Sequence, residues 1–246
     1  MNTYIVMPVA NEQETIHDLL LSIRANLPDA RILVVVDKFS RDRTWDVVLG
    51  LAMCDWHVVP VFYERSTGFA SCYLHGFRLA ANLGGADAII EMDAGGSHDP
   101  SELGKVADLL EENACAFSTR FARGGGFVDH PWHRRAVSWG GTALANRVFL
   151  DTKLSDMTSG FEGFRADVLR AIDRKIGFDN FLSVRPGTGH FFQTEMRYYC
   201  SKLRCAEFPI TYRGSDSTLK AKTVLRSLAA LYELGCRRPL EPGDLA

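Results

Sequence analysis

Along the first hundred positions, apolar runs of six or seven residues alternate with stretches in which apolar residues return every three or four. The runs are Tyr4 to Val9, Arg31 to Asp37, Val58 to Tyr63 and Ala86 to Met92, of strand length and too short for helices. Between them, Ile16, Leu19, Leu20 and Ile23 fall at helical spacing, as do Val47, Val48 and Leu51, and a third helix is predicted from Phe69 to Leu83 after Gly68. Asn11, with Glu14 three residues on, reads as a capping box for the first helix, and Ser40 and Asp42 announce the second. Strict alternation with unbroken apolar strands predicts an α/β protein whose parallel sheet is covered on both faces.

The second half has a different texture. A strand is predicted from Ala114 to Thr119, then a glycine-rich aromatic loop from Phe121 to His133 and a helix from Arg134 to Leu150. A short strand (Gly160 to Arg165), a short helix (Ala166 to Asp173), a helix from His190 to Leu203, a strand from Cys205 to Tyr212 and a closing amphipathic helix from Leu219 to Leu234 follow. The Pro- and Gly-containing end reads as a frayed tail. With no linker, repeat or low-complexity tract, the pattern predicts one domain.

Composition narrows the class. A net charge of −2 over 246 residues gives no whole-protein attraction to nucleic acid or acidic membrane, so a basic site must be local. Six cysteines without CxxC spacing favour reduced thiols in a cytosolic protein over a disulfide frame or zinc site. No apolar run approaches the ~20 residues of a membrane span, and no signal peptide is legible.

The chemistry points to the fourth run. Asp93 stands where a buried strand stops at an acidic turn, with Gly95-Gly96 behind it and Asp99-Pro100 opening a helix. Ligands of open α/β sheets bind outside the carboxyl ends of strands, where a carboxylate can hold a divalent cation that bridges phosphate oxygens. Spacing alone is equally compatible with Asp93 as a turn cap. Arg134 and Arg135 open a predicted helix, where the macrodipole disfavours cations; a phosphate there would meet free N–H groups, a guanidinium and Ser138 one turn on. The alternative is a basic turn facing Asp129. His75, His98 and His190 lack ligand spacing and read as structural. Neither glycine-rich stretch fits a P-loop or dinucleotide fingerprint, and no Gly-x-Ser-x-Gly is present.

Seven motifs stand in order: Pro8-Val9-Ala10-Asn11-Glu12; Asp37 with Ser40, Asp42 and Thr44; Tyr73-Leu74-His75-Gly76; Met92-Asp93-Ala94 with Ser97-His98-Asp99-Pro100; Thr158-Ser159-Gly160-Phe161; Phe192-Gln193-Thr194-Glu195-Met196; and Pro209-Ile210-Thr211-Tyr212. From about Tyr4 to Lys220 the chain resembles family 2 glycosyltransferases, and within them the dolichol-phosphate (polyprenol-phosphate) mannose synthases. The resemblance implies a GT-A fold with a Rossmann-like, mostly parallel sheet. It also implies an inverting mechanism, a GDP- or UDP-linked sugar donor, a divalent cation (Mg2+ or Mn2+) and a phosphate-bearing lipid or small acceptor. It divides residues 1–220 into a nucleotide-binding half to about residue 100 and an acceptor half from 101, with a helix and tail over 221–246. A cytoplasmic protein, peripheral to the membrane, is expected. Carried over by residue, Pro8, Ala10 and Glu12 line the nucleotide pocket, Asp37 binds base or ribose, and Asp93 with Ala94 meets the diphosphate. Asp93 also holds the metal, with Ser97 nearby. Arg120, Arg134 and Ser138 bind the acceptor phosphate, Gln193 and Glu195 face the sugar, and Arg213 and Lys220 close over the diphosphate.

This chain departs from the family pattern at identifiable places. Asp93-Ala94-Gly95 replaces Asp-x-Asp, Asp37-Lys38 replaces paired aspartates, Gly68-Phe69-Ala70 replaces Gly-x-Gly, and Glu162 stands where the synthases tend to carry arginine. One carboxylate fewer makes metal binding weaker or more dependent on the donor's own phosphates, while Lys38 can supply charge to the diphosphate. Two other readings stay open: transfer to a hydroxyl, with Glu162 or Glu195 as base, and a non-catalytic nucleotide-sugar binder.

Overall fold

The computed structural model describes residues 1–82, 84–128, 132–213 and 221–245, without the side chains at 133, 134, 137, 148, 213 and 221–225. Strands β1 (Thr3–Val9), β2 (Arg31–Asp37), β3 (Val58–Tyr63) and β4 (Ala88–Glu91) alternate with helices α1 (Ile16–Asn26), α2 (Thr44–Cys54) and α3 (Phe69–Asn82). Helix α4 (Leu103–Glu112) then leads to β5 (Cys115–Thr119), β6 (Gly126–Val128), α5 (Trp132–Leu144) and β7 (Glu162–Arg165). The chain closes with α6 (Ala166–Lys175), α7 (Phe192–Cys200), β8 (Cys205–Pro209), β9 (Thr211–Arg213) and α8 (Ala221–Gly235).

Seven strands form one sheet in the order β3-β2-β1-β4-β7-β5-β8, and β6 pairs with β9 in a small second one. Side-chain alternation along β1 divides the core. Tyr4 and Val6 join Leu33, Val35, α3, α6 and α7 on one face, while Ile5, Met7 and Val9 join Ile32, Val34, Val36, α1 and α4 on the other. Helix α3 lies close because position 76 is glycine: a Cβ there would come 2.4 Å from Val6 Cγ1.

Strand β7 runs antiparallel to both neighbours, so the sheet is mostly parallel, as the family resemblance implies. The direction of β7 follows from the connection. After Thr119 the chain stays at the carboxyl edge through β6 and α5 and re-enters the sheet there, with Glu162 opposite Phe117. Some expectations shift locally. Asn11 does not cap α1: it has φ +59°, and its Oδ1 accepts from the Arg41 amide, so α1 begins at Ile16 behind an Asn11–Thr15 turn. The long helix predicted to Leu150 loosens into a π-turn over Ala145–Leu150. The segment expected as a single strand from Cys205 to Tyr212 divides between the two sheets. The tail is docked and not frayed, because Leu240 is buried and its amide donates to Tyr199 O at 2.8 Å.

Candidate active site

The carboxyl ends of β1, β2, β4 and β5 and the start of β7 share one edge of the main sheet. The residues after β1 and β2 are tied to each other, on the side where the sequence places the donor. Asn11 N donates to Ser40 Oγ at 2.9 Å, Glu12 N to Thr44 Oγ1 at 2.8 Å and Gln13 N to Asp42 Oδ2 at 3.0 Å, so the first loop hangs on the start of α2. Burial alone would raise the Asp42 pKa. Hydrogen bonds from Thr44, the Gln13 amide and Ser40 outweigh it and hold the carboxyl at about 2. That sign makes the Asp42 contribution to stability complete above the ordinary aspartate value and lost as pH falls through about 2. Denaturant titrations of wild type and Asp42→Asn are expected to differ most near neutrality, with the gap narrowing below pH 4, the ordinary aspartate range (~3.9).

Asp37 is buried at the end of β2, where its Oδ1 accepts from Phe39 N at 3.0 Å and its carbonyl from Ser40 N at 2.9 Å. The Lys38 ammonium lies 5.1 Å from the Phe39 ring centroid. Pro8 and Ala10 are partly exposed at the end of β1, and the Glu12 carboxylate accepts from the Thr15 hydroxyl at 2.7 Å.

Asp93 follows β4. Its side chain is 38% exposed, yet its Oδ1 is buried and has no hydrogen-bond partner among the described residues. His98 fixes the turn: its Nδ1 accepts from Asp93 N at 3.2 Å, which leaves the ring proton on Nε2. Burial lowers the His98 pKa, against the pull of Asp93, so the ring is neutral. The ring stacks on Phe161 at 5.0 Å, and a Cβ on Gly160 would lie a tight 3.2 Å from it; Phe161 itself has φ +64°. Ala94 is buried and Ser97 partly buried in the same turn.

A ladder of buried charge links Arg120, Asp156, Arg197 and Glu162. Arg120 Nε and Nη2 donate to Asp156 at 2.8 and 2.9 Å, and Nη2 also reaches Thr158 Oγ1 at 2.6 Å. Despite burial, which acts to raise it, the Asp156 pKa is lowered by Arg120 and Arg197. Arg197, fully buried, donates from Nε to Glu162 Oε1 at 2.6 Å, from Nη2 to Ser118 O at 2.9 Å and from Nη1 to Asp156 O. Burial pushes Glu162 up to about 7 against the pull of Arg197. Glu91 is raised well above the carboxylate range, first by burial and then by Glu162.

This ladder corrects three expectations. Arg120 Nε and Nη2 are engaged by Asp156 and Thr158, and the guanidinium lies among Phe121, Phe127 and Tyr212 at 5.2–5.7 Å from their centroids. It forms part of the wall. Glu195 does not face the sugar, because its oxygens accept from Leu182 N at 2.8 Å and Ser183 N at 2.9 Å in a buried setting. Glu162 is no exposed base, being locked on Arg197. Gln193, two residues from Glu195 and so on another side of α7, lies beside Gly160 and donates from Nε2 to Glu91 Oε1 at 3.1 Å. Glu91 and Arg197 carry a sequence signal, a charge beside an apolar run (Ile89-Ile90-Glu91-Met92, Met196-Arg197-Tyr198-Tyr199), whereas Asp156, among Ser155, Thr158 and Ser159, carries none.

Arg134 falls in the first turn of α5, with its side chain outside the description, and the partly buried Ser138 follows one turn on. Arg135 Nη2 donates to Phe127 O at 3.2 Å. Arg213 ends β9, paired with Val128, again without a described side chain; Lys220 and Asp129 lie outside the described residues. No group of three or more metal-ligating side chains occurs among the described residues. A polar concavity of about 420 Å³ lined by Asp87, Glu111, Arg165 and Arg170 opens at the opposite edge, away from the strand ends that carry Asp37 and Asp93.

Comparison with known proteins agrees with this arrangement. The family model described as glycosyl transferase family 2 matches residues 4–173. An undecaprenyl-phosphate mannosyltransferase of Micrococcus luteus is 33% identical over 214 residues, covering 86% of this chain and 84% of that protein. A polyprenol monophosphomannose synthase of Mycolicibacterium smegmatis is 28% identical, covering 97% of this chain and 89% of that protein. Among solved structures, Mycobacterium tuberculosis glucosyl-3-phosphoglycerate synthase, in complex with Mn2+, uridine diphosphate and glucosyl-3-phosphoglycerate, has a TM-score of 0.59 at 14% identity, covering 98% and 82% of the two chains. S. aureus TarS (1–349) with UDP gives 0.63 at 13% identity, covering 100% and 68%. At such identities these two show the shared fold alone. The family match and the 33% identity across most of both chains show that this chain belongs to glycosyl transferase family 2.

Proposed function

We propose that the protein transfers a sugar, mannose in the named relatives, from a nucleoside-diphosphate donor to the phosphate of a polyprenyl phosphate, with inversion. The observation that carries this reading is the Asp93 carboxylate: half-exposed at the strand edge, with a buried oxygen that has no hydrogen-bond partner among the described residues. An orphaned carboxylate oxygen fits a hard divalent cation. Asp93 would hold that cation, with Ser97 close by and the donor's phosphates completing its shell. The bound cation supplies charge stabilisation for the departing diphosphate.

The chain's own residues have separable tasks. Asp37 would bind base or ribose and Lys38 the diphosphate, with Pro8, Ala10, Glu12 and Ala94 shaping the pocket and Arg213 and Lys220 closing it. Asp37→Ala is therefore expected to weaken nucleosides and nucleotides alike, and Lys38→Ala only phosphate-bearing ligands. Equal losses for a bare nucleoside in calorimetry would contradict this division.

On the acceptor side, Arg134 and Ser138, one turn apart at the start of α5, would receive the phosphate against the Arg120 wall. A phosphate is already ionised at neutral pH, so positioning suffices and no base is required. The burial of Glu162 and Glu195 favours this route over a hydroxyl acceptor. Charge-assisted bonds contribute ~1.5–3 kcal/mol, so Arg134→Ala is expected to weaken acceptor use about ten- to a hundredfold and leave donor affinity nearly unchanged. Steady-state kinetics with varied acceptor check this.

No described helix is long and apolar enough to cross a membrane. Trp132 (80% exposed), Arg135 and Trp139 (61%) share one face of α5, with Val128 of β6 also exposed, which suits peripheral contact with a bilayer. Turnover with a panel of GDP- and UDP-linked sugars, with and without Mg2+ or Mn2+, tests the enzyme reading. Donor binding without transfer or hydrolysis would support the non-catalytic alternative.

A further inference from the structure

Glu91 ends β4 and Glu162 begins β7. The antiparallel register pairs Ala88 with Arg165, Ile89 with Phe164 and Ile90 with Gly163, which sets Glu91 opposite Glu162. Both are fully buried, and one oxygen of each has no hydrogen-bond partner among the described residues. Two buried carboxyl groups that face each other, each with an oxygen left without a hydrogen-bond partner, cost free energy whether charged or neutral. Local rules of this kind are broken chiefly where a site benefits. The partners of the two side chains differ. Glu162 is held by Arg197 within the charge ladder, whereas Glu91 Oε1 accepts from Gln193 Nε2 at 3.1 Å. Gln193 in turn lies beside Gly160 and the His98 ring, which fixes the Asp93 turn.

An amide has one face that donates and one that accepts, and packing alone seldom decides which way it turns. In the structure Nε2 is turned inward onto Glu91 Oε1, and the carbonyl oxygen is then directed elsewhere. We propose that Glu91 is a positioning residue that fixes the Gln193 amide with its nitrogen inward, presenting the carbonyl oxygen as acceptor for a hydroxyl of the transferred sugar. This rests on the glycosyl-transfer reading above and on Gln193 facing the donor sugar.

The test is a double-substitution cycle on the full chain, with turnover, donor affinity by calorimetry and thermal melting read on every protein. Gln193→Leu is expected to lower kcat at least about tenfold through loss of one hydrogen bond to the reacting sugar. Glu91→Leu should lower it to a similar degree, and the double variant no further. Glu91→Leu also removes a buried carboxyl that has an oxygen without a hydrogen-bond partner, so Tm should hold or rise while activity falls. Glu91→Gln keeps a carbonyl acceptor and should recover most of the activity that Glu91→Leu loses. Additive losses, an active Glu91→Leu beside a crippled Gln193→Leu, or no effect of Gln193→Leu would each overturn the proposal. So would a fall in Tm for both Glu91 variants, which marks a purely structural role. Wild-type transfer abolished by Asp93→Asn reports separately on the glycosyl-transfer reading, so failure of that reading is told apart from failure of the Glu91 assignment.

Discussion

Asp93→Asn is expected to abolish metal-dependent donor binding and to lower turnover by at least about a hundredfold, in the range seen when one group stabilising transition-state charge is removed. The substitution keeps the shape and the backbone N–H that donates to His98 Nδ1, so the turn should survive. It removes the negative charge on a side chain whose buried oxygen has no hydrogen-bond partner among the described residues. Because Gly95 stands where the family has its second aspartate, no neighbouring carboxylate of the motif can substitute. Calorimetric titration of a nucleoside diphosphate with and without Mn2+ checks this: wild type should show metal-dependent affinity and the variant none. Equal metal dependence in both proteins would remove Asp93 from the site.

Arg197→Met should be the most destabilising single change in the charge ladder. It leaves Glu162, Asp156 O and Ser118 O without their donor in a fully buried setting. Breaking a buried pair by removing one partner costs about 3–5 kcal/mol, a large part of the ~5–15 kcal/mol that holds a whole domain together. Denaturant unfolding is expected to show that loss, with a fall in Tm of about 10 °C or more. Exchanging Glu162 for Met as well should recover part of it, since the uncompensated charge is then gone. A single variant as stable as wild type would mean that the ladder carries no structural weight.

The strands, the order of helices and the sheet edge that carries Asp37 and Asp93 were legible because hydrophobic period and strand-end carboxylates report them locally. What escaped was tertiary. Gln193 and Glu195 stand in one motif, but two residues on a helix turn the side chain by about 200°, so only one can face the site. Glu195 instead satisfies the Leu182 and Ser183 amides of a turn that no local pattern announces. Arg120 reads as a free cation until Asp156, 36 residues away, is seen to hold it. The reversal of β7 depends on the edge at which the chain re-enters, which periodicity does not encode. Leu240 looked like tail because its contact, the Tyr199 carbonyl, is distant in sequence.

The central claim is that the acceptor is a phosphate borne by a lipid. Sugar transfer from GDP- and UDP-linked donors should be measured side by side onto a polyprenyl phosphate and onto the same polyprenol without its phosphate. The account expects a glycosyl phospholipid from the first, metal-dependent and lost in Asp93→Asn, and no product from the second. Comparable transfer to the free alcohol, or a donor that binds and is never turned over with either, would contradict it.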